Sequence, residues 1–256
     1  MAAAEPERLR LVRESFGERP AFGAAVSRAI LLRVAGGELP PTMRLHRTTR
    51  ILAFGRHDAA SPGFDDAVRA ARATGFEPIV RLAGGRAAVY HEGTIALSRA
   101  IHDPRPAART HTRFEALAEL IAAALRRLGL DARVGEVPGE YCPGAYSVNA
   151  RGRSKLVGIG QRIIAGGAHL GVVIVVRDGD LVRDALLPVY EALGLEWDPE
   201  TAGSVEDELG SADLGTVENA ILEELVAAGH ELVEATLDSE TLALAERLTD
   251  AHRPPG

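Results

Sequence analysis

Residues 81–91 read RLAGGRAAVYH, an apolar run that enters two consecutive glycines and a second apolar run that leaves them. This pattern predicts a strand, a tight turn at Gly84 and Gly85, and a second strand. Glycine lets the backbone approach a ligand closely, and successive N–H groups in such a turn can bind an anion. Arg81 and Arg86 flank the turn and can add positive charge. The segment is a candidate ligand-binding loop, and an ordinary hairpin with two exposed arginines fits the same residues.

The rest of the chain mixes helical and strand patterns without a regular alternation. Apolar spacing predicts helices at residues 20–35, 65–72, 114–128 and 181–193, and strands at residues 43–46, 51–54, 77–82, 88–90 and 94–98. Residues 146–176 alternate and are broken by glycines, which is typical of consecutive strands joined by tight turns. The mixture predicts an α+β fold with a mixed, mostly antiparallel sheet and flanking helices.

The composition changes after Trp197, where the chain becomes acidic. Helical patterns follow at residues 216–228 and 239–249. We therefore predict a main domain over residues 1–197 and an acidic helical C-terminal extension over residues 198–256. A segment of about 60 residues rarely supports a core of its own, so the extension is expected to pack onto the main domain.

Composition excludes several classes of protein. The chain has 256 residues, 46% hydrophobic and 25% charged, with a net charge of -7, which argues against a nucleic-acid partner. No apolar stretch is long enough for a membrane helix, and residues 1–13 lack a secretory signal pattern, so we expect a cytoplasmic protein with no membrane partner. A single cysteine rules out an internal disulfide. Zinc-ligand spacing, a P-loop and a Gly-x-Ser-x-Gly elbow are also missing, and no metal site is predicted.

Lys155 is the only lysine among 29 lysines and arginines. In a sequence so strongly biased to arginine, a retained lysine indicates a position where arginine cannot replace it. The alternative is that this lysine is retained by chance on the surface. Lysine offers a compact ammonium on a flexible stem and can stabilise a developing negative oxygen. It begins a strand in which Gly158 and Gly160 leave room for an extended ligand.

Cys142 and His169 are two further candidates. Cys142 lies thirteen residues before Lys155 in a loop with proline and glycine. A nearby cation would favour its thiolate, which could form a thioester. An unreactive, structural cysteine is equally compatible with the sequence. His169 stands between small residues and before Gly171 at a strand entrance, where it either lines a pocket or is structural.

Four segments in this order resemble the lipoate–protein ligase and octanoyltransferase family, which shares its catalytic fold with biotin–protein ligases. Residues 51–57 resemble the family's strand followed by Gly-Arg, and residues 81–91 resemble its Arg-x-Ser/Thr-Gly-Gly-Gly/Arg-Ala-Val-x-His loop. Residues 155–160 resemble its Lys-Ile/Val-x-Gly-x-Ala/Gly strand, and residues 169–171 its His-Gly element. The resemblance runs from about residue 21 to residue 195, and implies a biotin/lipoate ligase-like catalytic domain.

The resemblance implies roles for these residues. Lys155 would contact the activated carbonyl or phosphate. The acyl pocket, and a nucleotide pocket if present, would be lined by Arg81, Gly84, Gly85, Arg86, Tyr90, His91, Gly158, Gly160, His169 and Gly171. Two departures stand out: Ala83 replaces the family's Ser/Thr, and one additional residue precedes Tyr90, so either Tyr90 or His91 could occupy the family's histidine position.

Two mechanisms within the family are compatible with the sequence. In the first, which the loop and Cys142 favour, acyl carrier protein donates octanoate to Cys142 and the acyl group passes to a lysine of a lipoyl carrier domain. In the second, a ligase uses ATP and Mg as co-substrates to activate lipoate or octanoate as an adenylate. Neither needs a tightly bound cofactor, and the acceptor would be of the 2-oxoacid dehydrogenase E2 or glycine cleavage H protein type. A non-catalytic acyl-binding relative and a biotin–protein ligase are the alternatives.

Overall fold

An eight-stranded mixed sheet forms the centre of the computed structural model, which describes residues 7–254. The strands are β1 (Glu7–Val12), β2 (Thr42–Arg47), β3 (Ile51–Phe54), β4 (Glu77–Val80), β5 (Ala88–Tyr90), β6 (Thr94–His102), β7 (Ala132–Val134), β8 (Val148–Ala150), β9 (Ser154–Ile164), β10 (Gly167–Val175) and β11 (His230–Ala235). The helices are α1 (Pro20–Ala35), α2 (Arg56–Ala59), α3 (Phe64–Ala73), α4 (Thr110–Arg127), α5 (Gly179–Ala192), α6 (Val205–Leu209), α7 (Leu214–Ala227) and α8 (Ser239–Leu248).

The large sheet has the strand order β11-β1-β2-β6-β10-β9-β8-β7. From β2 to β7 every neighbouring pair is antiparallel, whereas β1 is parallel to both β2 and β11. A smaller sheet has the order β4-β3-β5. The predicted α+β class with a mixed, mostly antiparallel sheet is therefore confirmed.

Helices cover both faces of the large sheet. Strand β6 shows the division, because side chains alternate between faces along a strand. Ile95 and Leu97 belong to the core cluster that includes α4 and α7, and Ala100 belongs to the cluster around α1. Helices α3 and α5 pack together against the small sheet in a third cluster. Within residues 7–254, no helix is both long and apolar enough to cross a membrane.

Strands β1 and β11 were not predicted from the sequence. The buried Leu9 and Leu11 alternate with arginines at positions 8 and 10, so the alternation of apolar and polar residues that predicts a strand is present in the sequence of β1. Strand β11 carries Glu231 and Glu234 and has no fully buried residue, so its sequence gives only a weak indication of a strand. It pairs in parallel with all six residues of β1. The acidic extension is therefore helical only in part, because it also adds an edge strand to the large sheet.

Candidate active site

Cys142 lies in the loop between β7 and β8 with a left-handed backbone, φ 44°. Such a conformation is uncommon for a residue with a side chain and is often found where function requires it. The backbone N–H of Cys142 donates a hydrogen bond of 2.9 Å to the Tyr190 hydroxyl on α5. That hydroxyl in turn donates to the carbonyl of Ala87 at 3.1 Å. Tyr190 therefore ties the cysteine to the loop that follows Gly85.

The Cys142 Sγ lies among hydrogen-bond donors. The backbone N–H of Arg86 donates to Sγ at 3.1 Å, and Nη2 of Arg81 lies 3.5 Å from it. Burial lowers the pKa of Arg81, but the neighbouring Cys142 and Tyr90 raise it, and the net shift is upward. A guanidinium and a backbone N–H directed at sulfur stabilise the thiolate, which is the nucleophilic form.

Arg86 contributes its backbone rather than its side chain. Its Nη1 lies 3.2 Å from Oδ1 of Asp58, whose carboxylate is fully buried and also accepts the N–H of Gly55. Arg86 therefore reaches the thiol through its backbone N–H, while its guanidinium is paired with Asp58.

The glycine loop is held by close backbone packing. Gly85 has φ +96°, and a Cβ there would lie 2.4 Å from Arg81 Nη2 and 2.8 Å from Sγ of Cys142. A Cβ on Gly55 would lie 1.8 Å from the carbonyl oxygen of Gly85, and a Cβ on Gly160 would lie 2.9 Å from that of Gly84. The loop therefore fits between the end of β3 and the strand β9 only because these positions are glycine.

Lys155 is buried behind the cysteine, with 1% of its side chain exposed. Its Nζ donates to Oε1 of Glu140 at 3.0 Å, to the carbonyl of Tyr141 at 2.9 Å and to that of Cys142 at 2.7 Å. An ammonium has three N–H donors, and all three have acceptors here. Lys155 therefore holds the cysteine loop, and its predicted contact with the activated carbonyl or phosphate stays a prediction.

Glu140 is a site residue that the sequence analysis missed. Its carboxylate pairs with Lys155 and also accepts the backbone N–H groups of Val137 and Gly144 and the hydroxyl of Ser147. An acidic residue in a loop has no local pattern that would reveal such a role. Only the fold turns this carboxylate inward, where it completes a buried polar network.

Two cavities adjoin this centre. The first, here called the thiol cavity, has a volume of about 600 Å³. It is lined by Cys142, Lys155, Gly84, Gly85, Gly158 and Gly160, together with the stacked rings of Phe114 and Tyr146. The second, here called the apolar cavity, has a volume of about 110 Å³. It is lined by Phe16, Ile51, Ile79, Leu82, Leu97 and Val172 among others. Arg81 lies in the wall of both.

The remaining predicted residues divide between the apolar cavity and the protein interior. Tyr90, His169 and Gly171 line the apolar cavity. Burial lowers the pKa of His169 to about 4, so the imidazole is neutral at pH 7. His91 lines neither cavity, because successive side chains of an extended segment point to opposite sides. Its Nδ1 accepts the N–H of Gly93 at 3.0 Å. Of the two residues that could take the family's histidine position, Tyr90 is therefore the one in the cavity wall.

Comparisons with known proteins show which family this chain resembles. The family described as the lipoyl protein ligase A/B catalytic domain matches residues 19–226. An octanoyl-[GcvH]:protein N-octanoyltransferase of Bacillus velezensis is 29% identical over 184 residues, which cover 72% of this chain and 64% of that relative, less than two thirds of its length. The octanoyltransferase LipM of Kyrpidia tusciae is 29% identical over 259 residues, 89% of this chain and 90% of that relative.

A solved structure shares the fold. A crystal structure of lipoate-protein ligase A bound with ATP superposes with a TM-score of 0.74 at 21% identity, covering 96% of this chain and 95% of that one. The family match spans most of the chain and includes Arg81, Cys142 and Lys155. The chain therefore belongs to the lipoyl protein ligase A/B catalytic domain family.

Proposed function

We propose that this protein transfers an octanoyl or lipoyl group to a lysine of a lipoyl carrier domain through a thioester on Cys142. The observation that carries the proposal is the position of Sγ, in a cavity wall, with the Arg86 N–H at 3.1 Å and the Arg81 guanidinium at 3.5 Å. The names of the two relatives, both octanoyltransferases, support this activity.

The first step forms the acyl-enzyme. The Cys142 thiolate attacks the carbonyl carbon of the donor, the new C–S bond forms, and the bond from that carbon to the donor atom breaks. If the donor is a thioester, its sulfur leaves as a thiolate. If it is a lysine amide, the nitrogen takes up two protons from solvent and leaves as an ammonium. The Arg86 N–H and Arg81 Nη2 are the donors beside Sγ, and they can stabilise the transient oxyanion on the carbon that Sγ attacks.

The second step delivers the acyl group. The neutral amine of an acceptor lysine attacks the thioester carbonyl, the C–N bond forms, the bond to Sγ breaks, and one proton is released to solvent. The Cys142 thiolate is a good leaving group because the same two donors stabilise it. Lys155 acts here as a positioning residue, because its ammonium binds the carbonyls of Tyr141 and Cys142, which lie on either side of the Cys142 Cα.

The apolar cavity is the proposed site for the acyl chain. It shares Arg81 with the thiol cavity, so a chain attached at Sγ can pass this side chain and reach the apolar wall. Burial of each CH₂ group contributes about 0.8 kcal/mol, which makes such a cavity a sufficient anchor for a medium-length chain.

The carriers are proposed by class. Acyl carrier protein is the donor that the sequence resemblance predicts, whereas the Bacillus velezensis relative is named for octanoyl-[GcvH]. We propose a carrier-bound octanoyl donor, with acyl carrier protein and a glycine cleavage H protein as the two candidates to compare. The acceptor would be a lipoyl domain of the E2 or H protein type.

The test is the intact mass of the protein after incubation with each octanoylated carrier, without ATP. We expect one octanoyl adduct that hydroxylamine removes, as a thioester requires. The chain has one cysteine and one lysine, so the modified residue can be assigned without ambiguity. Cys142→Ala should form no adduct and should not octanoylate a lipoyl domain.

Other outcomes would decide between the alternatives. If neither carrier gives an adduct, but octanoate with ATP and Mg modifies a lipoyl domain in both the wild type and Cys142→Ser, the protein is a ligase. If biotin with ATP is the pair that gives product, it is a biotin–protein ligase. If no donor gives product while octanoate binds, the protein is a non-catalytic acyl-binding relative. Each of these results would overturn the thioester proposal.

A further inference from the structure

Two arginines lie beside the glycine loop, one on each of the segments that enclose it. Arg56 begins α2 directly after Gly55, which packs against this loop. Arg162 lies on β9 two positions beyond Gly160, which packs against the same loop, and residues two apart on a strand share a face. Arg162 also lies in the wall of the thiol cavity. Arg56 is exposed and Arg162 is half-buried, so both reach solvent beside this cavity.

Arg28 on α1 joins these two arginines in one cluster, here called the basic rim. Burial lowers the pKa of Arg162, and the positive charges of Arg56 and Arg28 lower it further, so the three guanidinium groups lie near one another. Arg28 is half-buried. Within residues 7–254, no carboxylate forms an ion pair with any member of the basic rim. Three like charges are therefore held together without an acidic partner.

Nearby acidic residues do not neutralise the basic rim, because they pair with other cations. Three buried carboxylates around the thiol cavity each have a basic partner: Asp58 with Arg86, Asp103 with Arg113, and Glu140 with Lys155. The acids that α8 and its N-cap bring against α1 pair with Arg19 and Arg33 rather than with Arg28. The basic rim therefore presents uncompensated positive charge to solvent.

This positive charge runs against the net charge of the chain, which is -7. Residues 198–256 contain 15 acidic and two basic residues, so residues 1–197 carry a net charge of +6. Charge of the two signs is thus separated within one chain. A basic cluster beside a cavity attracts a partner with an acidic surface and orients it during the encounter, over a range of about 10 Å at ordinary salt.

We propose that the basic rim docks an acidic surface of the carrier protein that brings the acyl group, and so directs the acylated arm of the carrier into the thiol cavity. The inference rests on the proposed function for the identity of the partner as an acyl carrier. A nucleic acid fits less well, because a phosphate backbone needs basic residues along an extended track and the acidic residues 198–256 would repel it.

The first test is binding without turnover. Cys142→Ala is titrated by calorimetry with octanoylated acyl carrier protein and with octanoylated H protein, at low and at high salt. We expect at least one carrier to bind, more weakly as salt rises, and Arg56→Glu in the same background to weaken this binding at least about fivefold at low salt. Arg153→Glu is the matched control, because Arg153 is also exposed, has no ion pair among the described residues, and lies about 30 Å from Arg162 along β9. Equal affinities of the two variants, or no binding of either carrier, would overturn the proposal.

Changes in the carrier test the partner's side of the contact. A carrier whose acidic residues beside the acylated position are changed to amides should bind weakly, and Arg56→Glu should then have little further effect. If Arg56→Glu weakens the binding of both carriers by the same factor, the basic rim does not contact those acids and the proposal is wrong. A DNA duplex of random sequence is the competing probe. If it binds more tightly than the carrier and Arg56→Glu abolishes its binding, the basic rim serves nucleic acid instead.

Acylation separates this inference from the proposed function. The rate of adduct formation on Cys142 is measured by mass with the carrier-bound octanoyl donor and with free octanoyl-pantetheine. We expect the ratio of the first rate to the second to fall at least about fivefold in Arg56→Glu and to be unchanged in Arg153→Glu. If the carrier binds through the basic rim but no donor acylates Cys142, the docking surface stands and the thioester function fails. If the carrier acylates Cys142 with the same ratio in Arg56→Glu, the function stands and the docking surface is wrong.

Discussion

Gly85 and Cys142 are 57 positions apart in the chain, and a single methyl group on the Cα of Gly85 would come within 2.8 Å of the cysteine Sγ. Glycine at this position therefore does more than permit a turn. Its missing side chain leaves the space in which the thiol meets the Arg86 N–H.

Gly85→Ala should reduce the rate at which Cys142 is acylated by at least about tenfold, because the methyl group displaces Sγ and the positive φ costs about 1 kcal/mol in a non-glycine residue. The rate of thiol alkylation by iodoacetamide provides a substrate-free measurement. Gly84→Ala is the matched control, since a Cβ there meets only the carbonyl of Gln161 at an ordinary 3.6 Å. Equal rates in the two variants would contradict the steric argument.

Lys155 and Glu140 should behave as a coupled buried pair. Lys155→Met alone leaves a buried carboxylate without its cation, which should lower the free energy of unfolding by about 3 kcal/mol. The double variant with Glu140→Gln should recover part of this loss in urea unfolding. The exposed pair Asp180 and Arg183 serves as control, and Asp180→Asn should leave the urea midpoint unchanged. Additive losses from the two buried substitutions would show that the groups are not coupled.

Tyr190→Phe should loosen the cysteine loop without removing any group that touches substrate. The hydroxyl joins the N–H of Cys142 to the carbonyl of Ala87, and its loss leaves a buried donor and a buried acceptor unsatisfied. We expect a decrease in stability of about 2 kcal/mol and a lower kcat with KM nearly unchanged. A rise in KM alone would indicate that Tyr190 serves substrate binding rather than the position of the thiol.

Stability should fall as the pH is lowered from about 6.5 to about 4, partly because of His169. Its pKa in the folded state is about 4, below the ordinary 6.5, so the unfolded state binds a proton more readily in this window. Burial is the main cause, and the nearby His252 contributes. The full effect is of order 3 kcal/mol. The measurement is the midpoint of urea unfolding as a function of pH. His169→Gln should reduce the change of this midpoint between about pH 6.5 and 4, and His57→Gln, at an exposed position, should not.

The thiol centre could be anticipated only in outline from the sequence. The single lysine and the glycine loop identified Lys155, Arg81 and Gly85 as candidates, and the structure brings all three around Cys142. Tyr190 was missed because its partners Cys142 and Ala87 are distant in the sequence. Glu140 was missed because its carboxylate turns inward only in the folded loop, and no local sequence pattern reports that direction. The contacts of Lys155 with Glu140 and the cysteine loop were also not predicted, since the direction of a flexible side chain follows from its burial and its acceptors.

Local patterns determined much of this protein. Apolar spacing and glycine positions predicted most helices and strands, and the order of four motifs indicated the family. This works because periodicity and backbone freedom are properties of neighbouring residues. The tertiary structure alone decided that β11 joins β1, that His91 turns away from the cavity, and that Arg44 is buried. These features depend on which distant segments of the chain pack together. The burial that results then determines the free-energy cost of each charged group in the interior.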